Sequence, residues 1–266
     1  MVQAELGVIG GSGLYALLED AVEVSVPTPF GPTSDPIVVG DVAGRSVAFV
    51  PRHGRQHQHP PHTIPYRANL WALRSLGVRQ VLAPSAVGGL VPSLPAGSLV
   101  VPDQLIDRTS GRVQTFHETG AVHVSFANPY CPVGRRVAVE RAAAAGWPVT
   151  DRATLVVVEG PRFSTRAESQ WFARQGWQLV GMTGHPEAVL ARELALCYTP
   201  IALVTDLDAG VEGAEAVTQE EVFRFFAQNT ARVRTLLLDV LATIPLDRGC
   251  PCGSALDGIT HDLVLP

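Results

Sequence analysis

The chain has 266 residues and a formal net charge of −5, with 46% apolar and 17% charged residues. That composition is globular, and its negative balance excludes a blanket attraction to nucleic acid or an anionic membrane, so an anionic ligand would need a local site. The first residues, MVQAELGVIGGSGL, lack the basic and apolar regions of a signal peptide, and no apolar run approaches the ~20 residues that span a bilayer. Four scattered cysteines (Cys131, Cys197, Cys250, Cys252) are too few for a disulfide scaffold, and a cytoplasmic protein is expected.

In chain order, Val-rich runs punctuated by Gly and Pro predict strands over 5–10 and 46–51. A helix is expected over 64–77, with Leu70, Leu73 and Leu76 near one face and Gly77 at its end. Strands follow over 78–84 and 97–102, and then 105–130, poor in regular pattern, reads as an excursion toward a partner subunit. The run 153–160 predicts a strand, 164–176 a helix capped by Ser164, and 185–198 a helix opened by Pro186. A strand over 199–205 and a long helix over 218–244, with Thr218 and Glu221 as a capping box, complete the pattern. Several strands are apolar on both faces, as in a covered sheet. The expectation is one α/β domain over 1–245, with a central mixed, mainly parallel twisted sheet flanked by helices, and an irregular tail over 246–266 packed on it.

Five stretches have residues suited to chemistry. GVIGGSGLY (7–15) runs a strand into glycines, where backbone N–H groups and the Ser12 hydroxyl suit a phosphate. Gly11, Gly13 and Ala16 also fit a dinucleotide fingerprint, but the helix that fingerprint needs is barely two turns here, and no Gly-Lys follows to make a Walker loop. In PRHGRQHQHPPH (51–62), Arg52 follows a strand end and can fork onto two phosphate oxygens, with His53 as a further donor. Zinc competes for these four histidines, although Pro60 and Pro61 break any helix that would align them and neither Cys nor paired acids complete a tetrahedral set. In APSAVGGL (83–90), Ser85 and the Ala86 N–H can meet the same anion. Phe163, in VVVEGPRFSTRAES (156–169), offers a flat face to a heterocycle or fills the core. TDLDAG (205–210) puts Asp206 and Asp208 at a strand end, as partners for a heterocycle, a general acid, a cap, or a DxD metal site.

Taken together, IGGSGL, PRHGRQH, VEGPRFSTRAES, MTGHPEA and TDLD, in this order over about residues 5–245, resemble the methylthioadenosine phosphorylase branch of the trimeric purine-nucleoside phosphorylases. The resemblance implies that fold, and phosphate held by Ser12, Arg52, His53, Ser85, Ala86 and Thr183. It implies ribose near Met182 and the backbone at Ala86, and a base stacked on Phe163. Asp206 would hydrogen-bond the N7/N6 edge and protonate N7, with Asp208 in support, and His123 would reach a neighbouring subunit's 5′ pocket. Val217, Gln219 and Val222 fall where the 5′ substituent is lined; Gln219 replaces an apolar residue, and Gly181 stands where Asn is usual. The implied reaction is phosphorolysis of 5′-methylthioadenosine, with adenosine, 5′-deoxy- or 5′-halo-adenosine or methylthioinosine as alternatives. It calls for no metal or organic cofactor, inorganic phosphate being a co-substrate. A homotrimer or a multiple of it, acting in purine salvage, is expected.

Overall fold

A computed structural model describes residues 2–11, 14, 17–18, 21–211 and 217–266. The first half runs through β1 (Leu6–Gly10), β2 (Val22–Val24), β3 (Ile37–Val42), β4 (Arg45–Pro51), α1 (Tyr66–Ser75), β5 (Gln80–Gly89), β6 (Leu99–Val101) and β7 (Gln104–Arg108). The second half runs through α2 (Pro132–Ala144), β8 (Val149–Asp151), β9 (Thr154–Val158), α3 (Arg166–Arg174), β10 (Leu179–Gly181), α4 (Gly184–Glu193), β11 (Cys197–Leu207) and α5 (Gln219–Thr243). Short 3-10 turns lie at Pro61–Thr63 and Pro251–Ser254.

All described strands join one mixed sheet, in the order β2-β3-β4-β1-β5-β10-β9-β7, with β11, β6 and β8 branching from β5. Its middle is parallel: β1 pairs with β4 and β5, and β11 follows β5 from Cys197 to Leu207. Alternation along these strands feeds two cores. Ile9, Val50, Val81 and Ala83 pack with Leu70 and Leu73 of α1 and with Leu190 of α4. Leu6, Val8, Phe49 and Leu82 pack on the other face with Val137 of α2 and with Leu237 and Leu241 of α5. Both faces are covered, which is why these runs read as continuously apolar. Truncating Leu237, fully buried, to Ala would cost about 2–5 kcal/mol.

The predicted strands and four predicted helices are present, with shifted ends. Thr165, not Ser164, caps α3, and Glu168 completes its capping box. The helix expected over 185–198 ends at Glu193, and Cys197 and Tyr198 belong to β11. At α5, Thr218 accepts from the Glu221 N–H, but the Glu221 carboxylate turns to the Thr218 hydroxyl. The sequence reading missed α2 and the short strands β2, β3, β7, β8 and β10. Past β7, residues 109–131 carry no helix or strand, while the C-terminal segment folds back so that Leu263 and Leu265 pack on the first core.

Candidate active site

Because β4, β1, β5 and β11 are adjacent and parallel, the segments at and beyond their carboxyl ends lie side by side, the usual place for a ligand in such sheets. They enclose a cavity of about 670 Å³ lined by Gly11 after β1, Arg52 and His53 after β4, Ser85 and Ala86 within β5, and Asp206 and Asp208 of the β11 end. Phe163, Met182 and Thr183 line it from the loops before α3 and α4, and Gln219, Val222, Phe223 and Phe226 from α5. Those four α5 residues recur at helical spacing and so share one face.

Arg52 is 2% exposed and nearly spent. Its Nε donates to Glu187 Oε1 at 2.5 Å, and Nη2 donates to Glu187 Oε2 at 3.1 Å and to the Ile9 carbonyl at 2.9 Å. Nη1 donates to the Pro84 carbonyl at 3.0 Å. Burial would lower the Arg52 pKa, but the Glu187 carboxylate reverses this and holds it above its ordinary value. Tyr198 donates to the same carboxylate at 2.8 Å. The expected two-oxygen fork onto phosphate is therefore corrected: Glu187 occupies the fork, leaving one Nη1 hydrogen for an anion.

His53 places Nδ1 2.9 Å from the His59 carbonyl. Since a carbonyl only accepts, Nδ1 carries the proton and Nε2 is the remaining position. Burial foremost pushes the His53 pKa down to about 4, with Arg52 adding to the effect, so the ring is neutral at pH 7. It stacks on His57 at 5.2 Å, and His57 meets Phe223 edge-on at 5.5 Å, joining this loop to α5. Thr183 precedes α4 without spending its hydroxyl on a cap.

The β11 end carries a bulge: Val204 faces Val87 and Asp206 faces Gly88, so Thr205 is the extra residue. A Cβ on Gly88 would lie 3.2 Å from Asp206 Oδ1 and 3.0 Å from Val180 Cγ1, so glycine leaves room for the carboxylate. Burial foremost raises the Asp206 pKa to about 6, against a hydrogen bond from Thr205, with the Asp208 and Glu221 charges adding. Asp208 is 2% exposed and accepts from the Ser169 hydroxyl of α3.

Arg112 ties the two loops that shape the cavity. It donates to the carbonyls of Met182 and His185 at 2.8 and 2.6 Å, and to that of Glu159 at 2.6 Å. Its Nε also lies 3.3 Å from the Glu159 carboxylate. Gly160, at φ +67, lets Met182 approach: a Cβ there would sit 2.7 Å from the Met182 sulfur.

A family model described as the phosphorylase superfamily matches residues 5–242. The chain belongs to the phosphorylase superfamily. It is 58% identical to a purine nucleoside phosphorylase of Streptomyces coelicolor, over 100% of this chain and 99% of that one. It is 56% identical to an S-methyl-5′-thioadenosine phosphorylase of Mycolicibacterium smegmatis, over 98% and 99%. A methylthioadenosine phosphorylase from an antarctic soil metagenomic library superposes with a TM-score of 0.90 at 39% identity, covering 97% and 92%. The Schistosoma mansoni methylthioadenosine phosphorylase in complex with adenine gives 0.87 at 36% identity, covering 91% and 92%.

Among the described residues singled out from sequence for the site, two, Val217 and His123, do not line this cavity. Ser12 lies outside the described residues. Val217 lines a neighbouring cleft with Pro95, Thr218 and Phe225, because the chain turns into α5 only after it, which corrects its assignment to the 5′ lining. His123 is exposed and away from the chain's own cavity. Sequence reasoning missed Glu187, Tyr198, Ser169 and Arg112. Glu187 alone had a usable signal, since an arginine placed directly after an apolar strand is apt to need a carboxylate partner.

Proposed function

We propose that the chain cleaves 5′-methylthioadenosine, or a closely related 5′-modified adenosine, with inorganic phosphate to give adenine and 5-methylthioribose 1-phosphate. One observation carries the reading: an anion-holding group (Arg52, His53, Ser85, Thr183) and a carboxyl with its pKa near 6 line the same cavity. Relatives named for this activity support it. As the C1′–N9 bond breaks, its electron pair leaves with the purine and positive charge builds on the ribose. Phosphate stabilises that charge and then bonds C1′, while Asp206 hands its proton to N7 of the leaving base. Phe163 supplies the stacking face, Met182 the ribose contact, and Asp208, fixed by Ser169, the support for Asp206. The phosphate needs no metal or organic cofactor to act as nucleophile.

A second reading, purine-nucleoside phosphorolysis with adenosine as a substrate, is favoured by Gln219, an exposed amide on the α5 lining. His123 would complete the 5′ pocket of a neighbour, which implies a homotrimer or a multiple of it. No described helix is long and apolar enough to cross a membrane, and a cytoplasmic role in purine salvage fits this chemistry. The test is steady-state kinetics with 5′-methylthioadenosine, adenosine, 5′-deoxyadenosine and methylthioinosine, with and without phosphate. Phosphate-dependent release of adenine is expected, and base release that ignores phosphate would overturn the reading.

A further inference from the structure

The four cysteines, spread over 122 positions of sequence from Cys131 to Cys252, converge on one spot. Their sulfurs all lie within 4.8 Å of one another, and none is in a disulfide. Cys131 Sγ and Cys197 Sγ lie 3.7 and 3.4 Å from Cys250 Sγ. Four sulfurs around one zinc at about 2.3 Å stand about 3.8 Å apart along the tetrahedron's edges, so the spacing is that of a single-ion tetrathiolate. Cys131, Cys197 and Cys252 are buried, and Cys250 is half-buried.

The surroundings suit a negative centre. Cys131 is the N-cap of α2, and its sulfur accepts the Gly134 N–H at 3.4 Å, the kind of outer bond that steadies a metal-bound thiolate. Arg74, Arg79 and Arg248 repel one another. None of them enters an ion pair among the described residues. Nε and Nη1 of Arg74 are buried without a hydrogen-bond partner. Two of the three arginines reach the cluster's neighbourhood: Arg248 Nη2 would lie 2.7 Å from a Cβ on Gly253, beside Cys252 in the chain, and the Arg79 backbone carbonyl accepts the Cys197 N–H at 2.9 Å. Four thiolates around a divalent zinc carry a net charge of about −2, which neighbouring guanidiniums without acidic partners would offset. Two disulfides would carry none.

We propose that Cys131, Cys197, Cys250 and Cys252 form a structural zinc site that fastens the C-terminal segment to the start of α2 and of β11. The zinc binds thiols that lose their protons to solvent, with no change of oxidation state. It has no part in phosphorolysis, because β11 carries Cys197 at its first residue and Asp206 near its last.

The full chain, produced with zinc in the medium and purified under reducing conditions without chelator, should contain about one zinc per chain by elemental analysis. Cobalt(II) in its place should give the intense thiolate-to-metal and tetrahedral ligand-field absorption of a sulfur-rich site, a readout that needs no variant. The double variant Cys250→Ser, Cys252→Ser should lose at least about fivefold in zinc content, and a chelator should lower the melting temperature of the parent chain but not of the variant. Protein that takes up neither zinc nor cobalt overturns the proposal. So does alkylation mapping of freshly lysed cells that finds these cysteines joined as disulfides.

Discussion

Thr205 donates its hydroxyl to Oδ2 of the adjacent Asp206 at 2.8 Å, from the residue that a bulge inserts into β11. The bond favours the carboxylate, yet burial outweighs it and the Asp206 pKa stands near 6. If the protonated form is the working acid, kcat/KM for adenine nucleosides should fall as pH rises through about 6. Bound nucleoside excludes water, so kcat should hold to higher pH. Thr205→Val should move the kcat/KM limb upward by roughly half a unit or more. Asp206→Asn should slow adenine nucleosides strongly and erase that limb, leaving phosphate's own titration in the profile. A profile unchanged in both variants would make Asp206 a structural group.

The same shift works against stability. A folded carboxyl whose pKa rises from 3.8 to about 6 holds its proton more tightly than the unfolded one. Its stabilising contribution is full below the unfolded value and is lost as pH rises through the folded one. At pH 7, Asp206→Asn should therefore gain up to about 3 kcal/mol in denaturant unfolding while losing activity.

Arg52 and Glu187 form a buried pair that neither can leave cheaply. Glu187→Gln keeps the shape but strands a buried guanidinium, and should destabilise the fold by about 3–5 kcal/mol in denaturant unfolding. Arg52→Lys keeps a charge but loses the fork, and should raise the phosphate KM about tenfold or more with a smaller change in nucleoside KM. Equal changes in both constants would show that Arg52 acts only through folding.

Arg112 holds the Met182 and Phe163 loops together through the carbonyls of Met182, His185 and Glu159. Arg112→Ala should cost about 2–4 kcal/mol of stability. It should raise nucleoside KM more than phosphate KM, because the carbonyls it releases flank Phe163 and Met182, the proposed base and ribose contacts. A variant with normal nucleoside KM would count against this positioning role.

Gln219 stands on the cavity face of α5 but is open to water, so its amide bears little burial cost against an apolar 5′ group. Gln219→Val should shift the ratio of kcat/KM toward 5′-methylthioadenosine over adenosine by about two- to tenfold, the worth of one exchanged hydrogen bond. Equal effects on both substrates would remove Gln219 from the specificity of the site.

The middle of the sheet was legible because β1, β4, β5 and β11 are apolar on both faces, with Gly or Pro ending the first three and Asp208 following the last. The short strands β8 and β10, three residues each, leave too few positions for a period to appear, and their pairing comes from distant partners. In α2, the run of alanines hides the buried stripe of Val137, Ala138 and Ala142. At the site, the strand-end rule brought out Arg52, His53 and the two aspartates. The spending of Arg52 on Glu187 depends on α4 and β11 meeting behind β4, a tertiary fact that no local spacing encodes. Val217 precedes the first residue of α5 and lines the neighbouring cleft with Leu207 and Thr218.

The internal pairing of Arg52 leaves the cavity poor in free positive charge. Among the described residues Arg52 is the only lysine or arginine lining it, Glu187 cancels its charge, and His53 is neutral. In the proposed reaction, a phosphate dianion entering this cavity meets no described lining side chain with an uncompensated positive charge. The reacting sugar supplies a local counterion: as C1′ turns cationic it attracts the phosphate beside it, while the electron pair that leaves with the purine is met by the Asp206 proton, the net charge of the chamber staying the same. Anion and nucleoside should accordingly reinforce each other's residence, and the strongest mutual attraction should fall at the moment of bond breaking rather than in the resting complex.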